Sequence, residues 1–462
     1  PTGYPVYISL IWLFKYLVPF GTIAWRVNLF SALAAAGTIA GLFALCRLVT
    51  GRRDAALYSA LALTISYTFW SQAIIAEAYT IGTLWWVLML LCLWHWQRDP
   101  EAHLRWLFAA AMLSGLGMGV HFYTTLIAPA ALTLYWQTAK NRPNWRRSFL
   151  TAAAGLGLGL SIYLLAFYVI DAQQSVSDFN RMMFGPSASA WGLSPSDLDT
   201  PAERFYHVVG STQWQSAMFP EGLSLPFMMS RFARYGSLLF EREFSLLTLV
   251  AALVGGVLLL RQNQQIANLL LIGYLIVLMV ILNYDPADKH LFYLPSYIML
   301  LVAASVGVAE LIRWVERHFR LNIPNNLILI FLLLQAGQYF WPSRLQALAD
   351  GKASFVTDTY PYPVEDLTEP RSVATALATQ LPDGSLALFN WRHLYTTLYV
   401  AHVEQGKTTL GIIEPTPYGT NGRITDSLVA IIETALEEGR PVFADSPYDL
   451  SRHFNVEQTT QG

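Results

Sequence analysis

The stretch Trp70–Thr80, WSQAIIAEAYT, separates two apolar segments, 55–72 and 79–97. At a rise of about 1.5 Å per residue, each segment can cross most or all of a bilayer core of about 30 Å. Glu77 stands in the break, at the start of the second segment. A carboxylate at this depth is costly unless it faces water, a partner or a substrate, so Glu77 is a candidate functional residue. The alternative is a solvated loop acid whose charge favours the amino end of the following helix.

The composition of the 462-residue chain indicates an α-helical polytopic membrane protein in the cell membrane. Hydrophobic residues make up 54% of the chain and charged residues only 13%, against roughly 25% charged residues in soluble proteins. The apolar residues cluster into runs of about 20, the length of a membrane-spanning helix. The net charge of −2 gives no indication of a nucleic-acid partner. Cys46 and Cys92 lie inside apolar runs and are expected to be small buried side chains.

About ten helices are expected to cross the membrane within residues 1–342. The predicted spans are 27–49, 55–72, 79–97, 106–120, 122–137, 148–170, 244–261, 266–283, 293–314 and 325–342. The fourth and fifth spans come from one apolar stretch that divides at Gly119-Val120-His121. Residues 5–20 carry Tyr, Trp and Lys and are expected to form a helix in the membrane interface. Residues 171–243 are predicted to form a large polar loop.

Basic residues predict the orientation of these spans. If the amino end is extracytoplasmic, the short outer segments hold only Lys15, Arg26 and Lys289. The inner loops then hold thirteen basic residues: Arg47, Arg52, Arg53, Arg98, Arg105, Lys140, Arg142, Arg146, Arg147, Arg261, Arg313, Arg317 and Arg320. The positive-inside rule therefore places the 171–243 loop and the carboxyl-terminal tail on the extracytoplasmic side.

The tail, 343–462, is predicted to be a soluble α/β domain. Buried strands are predicted at 385–390, 408–413 and 441–445, and helical periodicity runs over 392–405 and 425–438. Strands that alternate with helices indicate a small parallel sheet. The tail has no G-x-G-x-x-G motif, so a nucleotide site is not expected there.

Several candidate site residues fall on the predicted extracytoplasmic side: Tyr4, Arg26, Glu77, His121, Asp285, Asp288, Lys289 and His290. Acids, histidines and bases that meet at one membrane face suit a substrate linked to a lipid phosphate. Glu77, His121 and Asp285 are the candidate catalytic residues, because a carboxylate can take the proton from an attacking hydroxyl. Tyr4, Arg26, Lys289 and His290 are the candidates for binding substrate and phosphate.

Most of these residues also have a purely structural interpretation. His121 could hydrogen-bond the neighbouring backbone at the helix division. Asp285 precedes a proline, which is a common turn signal. Asp288 and Lys289 could form a solvated ion pair in the connection. Arg26 begins a span and could be an anchor at the membrane interface.

Four motifs in order resemble a membrane family catalogued as domain of unknown function 2723. In that family a His-Pro-x-Gly-Tyr-Pro motif leads into a Trp-Arg-x-Asn-Leu span. The matching residues here are Pro1, Gly3, Tyr4, Pro5, Trp25, Arg26, Asn28 and Leu29. FWSQAIIAEAYT, with Glu77 and Tyr79, resembles the second motif, and GMGVHFYT and DKHLFYLPSY resemble the later ones. The resemblance covers roughly residues 1–340.

The family is similar to protein O-mannosyltransferases and shares the GT-C architecture of polytopic glycosyltransferases. The resemblance implies an inverting transfer of a mannose-like sugar from a polyprenyl-phosphate carrier to a protein or glycan acceptor. In the family a catalytic acid precedes the His-Pro-x-Gly-Tyr-Pro motif, and this sequence begins after that point. We therefore expect an upstream segment that carries the principal acid. The sequence is compatible with a bound divalent metal ion and also with none.

Two other classes of function compete with a glycosyltransferase. A transporter or flippase for a lipid-linked or polar substrate would also need charged residues and broken helices within the membrane. The polar residues, however, cluster at the outer face, and the chain shows no paired half-repeats. A non-catalytic scaffold that displays the α/β tail is the other alternative.

Overall fold

The computed structural model describes residues 4–140, 142–173, 198–210, 215, 217–220, 222, 224–286, 288–319, 369–416 and 423–458. The chain divides into two compact units. The first, called the helical unit below, comprises Tyr4–Phe167 and Ser216–Gln346. The second, called the α/β unit, comprises Pro1–Gly3, Tyr168–Gln215 and Ala347–Gly462.

Helices account for most of the described chain. In order they are α1 (Pro5–Leu17), α2 (Ile23–Thr50), α3 (Arg53–Thr64), α4 (Tyr67–Ala73), α5 (Tyr79–Arg98), α6 (Leu104–Gly117), α7 (Ala128–Ala139), α8 (Trp145–Ala172), α9 (Pro201–Val209), α10 (Leu225–Leu238), α11 (Leu246–Gln262), α12 (Gln264–Leu282), α13 (Leu294–Phe319), α14 (Glu369–Gln380), α15 (Trp391–Tyr399) and α16 (Asp426–Glu437). Short 3₁₀ turns at Phe122–Ile127 and Lys289–Tyr293 lead into α7 and α13, and a π turn at Leu239–Glu243 follows α10.

The helices confirm the predicted multi-pass architecture in outline but not the count of ten spans. Five described helices are long and apolar enough to cross a membrane: α2, α5, α8, α12 and the Lys289–His318 segment that contains α13. The predicted spans 106–120 and 122–137 correspond to helices of 14 and 12 residues, which are only about 21 and 18 Å long. The predicted span 325–342 lies outside the described residues.

The prediction of one continuous helix over 55–72 is wrong. The helix stops after Thr64, Ser66 adopts an extended conformation, and α4 then starts as a separate helix. The carboxylate of Glu243 accepts hydrogen bonds from the backbone N–H and the hydroxyl of Thr68, in the first turn of α4. An acceptor at this point satisfies an otherwise unpaired N–H of the helix start and complements the helix dipole. The break is therefore stabilised by a residue 175 positions away in the chain.

The predicted division at Gly119-Val120-His121 is confirmed. Helix α6 ends at Gly117, and His121 has an extended backbone that begins the 3₁₀ turn. The carbonyl of Gly119 accepts a hydrogen bond of 2.9 Å from the backbone N–H of Tyr7. The first turn of α1 is therefore attached to this division, which brings Tyr4 close to His121.

Close packing of α11 on α13 depends on two glycines. A Cβ atom added to Gly255 would collide with the backbone of Ala303, and one added to Gly307 would collide with the backbone of Ala251. Small residues let helix backbones approach in this way inside membranes, where dispersion forces favour close contact. This packing supports the connection that carries Asp285 and Asp288, because that connection leads into α13.

The segment predicted as a polar loop, 171–243, contains two helices, although its residues 174–197 lie outside the described part. Helix α9 begins with a capping box, in which the side chain of Thr200 accepts from the backbone N–H of Glu203 and the carboxylate of Glu203 accepts from that of Thr200. A largely buried ion pair joins Arg204 of α9 to Asp171 at the end of α8, with a distance of 2.7 Å. A polar composition alone did not reveal these local contacts.

The carboxyl-terminal part of the α/β unit contains the predicted parallel sheet. Strands β1 (Leu386–Leu388), β2 (Gly411–Ile413) and β3 (Val442–Ala444) pair in the order β2-β1-β3. Each strand falls within its predicted range. One hydrophobic cluster packs the sheet against α14 and α15, and a second packs it against α16.

Candidate functional site

Four helix ends and connections meet in the helical unit. They are the amino end of α1, the α4–α5 loop with Glu77, the division at His121 and the α12–α13 connection with Asp285 and Asp288. Ring contacts and hydrogen bonds link all four. Residues that are far apart in the sequence therefore lie in one cluster.

His121 lies at the centre of an aromatic group. Its ring centroid is 4.8 Å from that of Tyr4, 5.1 Å from that of Tyr79 and 5.4 Å from that of Phe292. The side chain is only 2% exposed, and this burial lowers the pKa of His121 to about 3. The imidazole is therefore neutral at physiological pH. Its Nδ1 accepts from the backbone N–H of Tyr123 at 3.4 Å, which leaves the proton on Nε2 and makes the ring a donor.

Glu77 and Asp288 form an acidic pair beside these rings. The Glu77 residue is exposed to solvent, yet protein atoms lie densely around its carboxyl. This desolvation, followed by the charge of Asp288, raises the pKa of Glu77 to about 7. Asp288 Oδ2 accepts a hydrogen bond of 2.6 Å from the hydroxyl of Tyr79. A carboxyl with this pKa can gain or lose a proton near neutral pH.

Asp285 is held as an anion by two basic side chains. Its carboxylate lies 3.0 Å from Lys289 Nζ and 2.9 Å from Arg231. Burial alone would raise the pKa of Asp285, but the hydrogen bonds and charges of Lys289 and Arg231 hold it below its ordinary value. The side chain of Arg231 is 8% exposed and also donates to the carbonyls of Leu282 and Tyr284. These contacts tie α10 to the connection before α13.

Arg26 binds backbone carbonyls of the α1–α2 connection. Its guanidinium donates to Lys15 O, Phe20 O and Gly21 O, with distances of 2.8 to 3.0 Å. This arrangement braces the turn between α1 and α2 and accounts for Arg26 without a phosphate. The side chain of His290 is half-buried, and the charge of Asp288 acts on its imidazole.

Among the described residues, no group of three or more His, Cys, Asp or Glu side chains is placed to hold a metal ion. Cys46 and Cys92 are both buried and unpaired with each other, as expected from their apolar surroundings.

The structure brings together most of the predicted residues and adds several. Tyr4, Glu77, His121, Asp288 and His290 face the same group of rings or charges. Asp285 and Lys289 form the neighbouring ion pair, and Arg26 lies at the α1–α2 turn. The residues that the sequence did not single out are Tyr79 as the partner of Asp288, and Tyr123, Phe292 and Arg231. Tyr79 could have been found, since it belongs to the second family-like motif, whereas nothing distinguished Arg231 from other arginines of the predicted loop.

The amino-terminal part of the chain matches a known family of membrane proteins. Residues 1–145 match the family model of the protein O-mannosyl-transferase TMEM260 N-terminal domain. The resemblance to O-mannosyltransferase-like membrane proteins is therefore confirmed over the part of the chain that carries Tyr4, Glu77 and His121. No curated protein sequence matches the chain.

Two solved structures show that the fold is of the GT-C type. The oligosaccharyltransferase of Archaeoglobus fulgidus, tethered to an acceptor peptide containing the NVT sequon, has a TM-score of 0.53 at 13% identity, over 96% of this chain and 60% of its own. ArnT from Cupriavidus metallidurans, bound to undecaprenyl phosphate, has a TM-score of 0.53 at 15% identity, over 95% of this chain and 79% of its own. The chain thus spans less than two thirds of the oligosaccharyltransferase.

Proposed function

We propose that the protein transfers a mannose-like sugar from a polyprenyl-phosphate carrier to a hydroxyl of a protein or other acceptor at the extracytoplasmic face of the membrane. The observation that carries this proposal is the acidic pair of Glu77 and Asp288 beside the neutral His121, at a point where four helix breaks meet. The match to an O-mannosyl-transferase domain supports the sugar and the acceptor. The undecaprenyl phosphate bound to ArnT supports the carrier.

In this mechanism the acceptor oxygen attacks the anomeric carbon, and the bond from that carbon to the phosphate oxygen breaks. The polyprenyl phosphate leaves with the bonding electrons, and the acceptor proton passes to a carboxylate. Glu77 is suited to this role, as base or as the group that orients the acceptor, because its pKa of about 7 lies near the working pH. His121 Nε2 would donate to an oxygen of the substrate, and the rings of Tyr4, Tyr79 and Phe292 would flank the sugar.

The basic residues take different parts in this proposal. Lys289 retains a 28% exposed side chain while it contacts Asp285, so it can also neutralise the leaving phosphate. His290 lies next to it in the chain and would add a donor. Asp285, which the sequence suggested as catalytic, becomes a positioning residue that holds Lys289 and Arg231. Arg26 positions the α1–α2 turn.

The test is sugar transfer in membranes that contain the intact gene product, with polyprenyl-phosphate mannose as donor and a serine- and threonine-containing peptide as acceptor. Glu77→Gln preserves the side-chain volume and removes the proton acceptor, so we expect the rate to fall by at least about 100-fold. Glu101→Gln, at an exposed acid in the α5–α6 connection, is the matched control. Unchanged transfer by Glu77→Gln would refute the role of Glu77.

A transporter or flippase remains the alternative function. The described charged residues of the site lie at helix ends and connections, not in the middle of the spanning helices, so no specific contact favours this alternative. Movement of a labelled lipid-linked sugar across sealed vesicles, without transfer to an acceptor, would support it and would contradict the proposal.

A further inference from the structure

The sheet of the α/β unit has a topological switch point at the carboxyl ends of its strands. Because β1 is central in the order β2-β1-β3, the chain moves to one side of β1 to form β2 and returns to the other side for β3. In parallel sheets this reversal opens a crevice outside the carboxyl end of the central strand, and ligands bind there. The sheet topology therefore marks one edge as a candidate binding site.

Polar residues from all three strand ends meet at this edge. Asn390 and His393 follow β1, Glu414 follows β2, and Asp445 and Tyr448 follow β3. The carboxylate of Asp445 lies at the centre of this group, and the Asp445 side chain is only 6% exposed. It accepts from the backbone N–H of Asn390 at 3.0 Å, from His393 Nδ1 at 3.1 Å and from the Tyr448 hydroxyl at 2.5 Å. These three contacts hold the carboxylate in place, and Asp445 in turn orients His393 and Tyr448.

His393 is presented to solvent by this network. Since Nδ1–H donates to Asp445, the neutral ring carries a free lone pair on Nε2. The side chain is 30% exposed, and its only hydrogen bond among the described residues is the one to Asp445. An imidazole held in one tautomer by a buried carboxylate is prepared to accept a hydrogen bond from a ligand.

Glu414 offers a second group at the same edge. Its carboxyl is half-buried and has no hydrogen-bond partner within the described ranges. Its charge acts on the hydroxyl of Tyr448, which places it near the Asp445 network. Burial raises the pKa of Glu414 to about 7, so near neutral pH the carboxyl can either donate or accept a hydrogen bond.

We propose that this crevice is a saccharide-binding site in which His393 Nε2 and the Glu414 carboxyl hydrogen-bond sugar hydroxyls. The acidic groups Asp445 and Glu414 disfavour phosphate and other anions. The described residues hold no metal-ligand cluster. A neutral ligand rich in hydroxyls satisfies the free acceptor and the carboxyl together. The inference rests on the proposed function only for its choice of a sugar, and the site would hold a glycan on the acceptor side of the reaction.

The experiment is saturation-transfer NMR on the intact protein in lipid nanodiscs, with the methyl glycosides of mannose, glucose, galactose and N-acetylglucosamine as probes. At least one glycoside should bind the wild type. His393→Asn keeps a donor toward Asp445 but removes the outer acceptor, and Glu414→Gln keeps the volume of the side chain. Each should weaken binding by about tenfold, the effect expected for one hydrogen bond lost in a partly buried site.

Matched controls separate this site from the one in the helical unit. His453→Asn and Glu437→Gln change exposed residues elsewhere in the α/β unit and should leave binding unchanged. Dependence on His393 and Glu414 assigns the bound glycoside to this site, because neither residue belongs to the proposed transferase site. Thermal melting of each variant identifies any loss of folding, in which case the second variant decides the result.

Three results would overturn the inference. They are no binding of any glycoside to the wild type, undiminished binding to both His393→Asn and Glu414→Gln, and saturation transfer to a tri-lysine peptide but not to the glycosides, which would reveal a cation site. If sugar transfer fails while the glycosides still bind in a His393-dependent manner, the saccharide-binding site is supported and the proposed transferase activity is refuted.

Discussion

The replacement Asp288→Asn should lower the pKa of Glu77. Asparagine retains an oxygen that can accept the hydrogen bond from Tyr79, so the variant removes the charge of Asp288 and preserves its contact. That charge is one of the two causes that raise the pKa of Glu77. The perturbation is therefore electrostatic and leaves the packing of the α4–α5 loop in place.

The expected change in the pKa of Glu77 follows from the relative sizes of the two effects that raise it, desolvation and the charge of Asp288. The pKa of Glu77 rises from 4.5 to about 7, and desolvation contributes more than Asp288 does. An interaction of about 1 kcal/mol, the order expected between two carboxylates near a protein surface, corresponds to roughly 0.7 of a pH unit. We expect the midpoint for Glu77 to fall by about 0.5 to 1 pH unit in Asp288→Asn, with the larger desolvation effect still present.

Infrared difference spectroscopy of the protonated-carboxyl band measures this midpoint without any substrate. The signal of Glu77 is identified by its loss in Glu77→Gln. This subtraction is needed because burial also brings the pKa values of Glu243 and Glu414 to about 7. Asp285→Asn is the matched control, since Asp285 lies in the same connection but is not among the groups that shift the pKa of Glu77.

The reasoning fails if Asp288→Asn leaves the Glu77 midpoint unchanged, or if Asp285→Asn moves it as far as Asp288→Asn does. The first result would mean that the two carboxyls are not electrostatically coupled. The second would mean that the whole connection, and not the acidic pair, sets the proton affinity of Glu77.

Two further predictions concern stability. The pKa of Glu243 is about 7 in the folded protein and 4.5 in the unfolded chain. The folded state therefore keeps a proton that the unfolded state releases, and stability should decrease as pH rises from about 4.5 through 7, by at most about 3 kcal/mol. Glu243→Gln should reduce this slope in thermal melts recorded across that range, with the remainder due to Glu77 and Glu414, whose pKa values are also about 7. A slope that is not reduced would exclude Glu243 as one of its sources. Gly307→Ala should lower the melting temperature because its Cβ meets the backbone of Ala251, whereas Gly256→Ala, with open space around it, should not. Equal melting temperatures for the two variants would contradict the packing of α11 on α13.

The sequence predicted one of two helix breaks, at His121, but not the other, at Ser66. The division at His121 was predicted because the apolar stretch 106–137 is too long for one span. The break at Ser66 was not, because 55–72 has the length of one span and the acceptor that stabilises the break is Glu243. A local pattern registers the length of an apolar run, but it does not show a carboxylate contributed by a distant segment.

The two aspartates of the α12–α13 connection illustrate the same limit at the site. The sequence made Asp285 a candidate catalytic residue, whereas Asp288, three residues further on, was only one of the polar residues at the outer face. The structure pairs Asp285 with Lys289 and Arg231, and Asp288 with Tyr79. An ion pair of Asp288 with Lys289, which the sequence allowed, does not form. The partners come from α10 and α5, so the distinction depends on tertiary contacts.

The sequence by itself determined the class of protein, the approximate positions of its apolar helices, the parallel sheet of its tail and the motifs that resemble a glycosyltransferase family. Hydrophobic periodicity, segment length and charge distribution are local properties of the chain, and they are sufficient for these conclusions. Only the tertiary structure decided which carboxyl titrates near neutral pH, which histidine is a neutral donor and which basic residues are already paired. The physical reason is that desolvation and charge coupling depend on what surrounds a group in space, and the groups around Glu77 and His121 come from segments more than 150 residues apart.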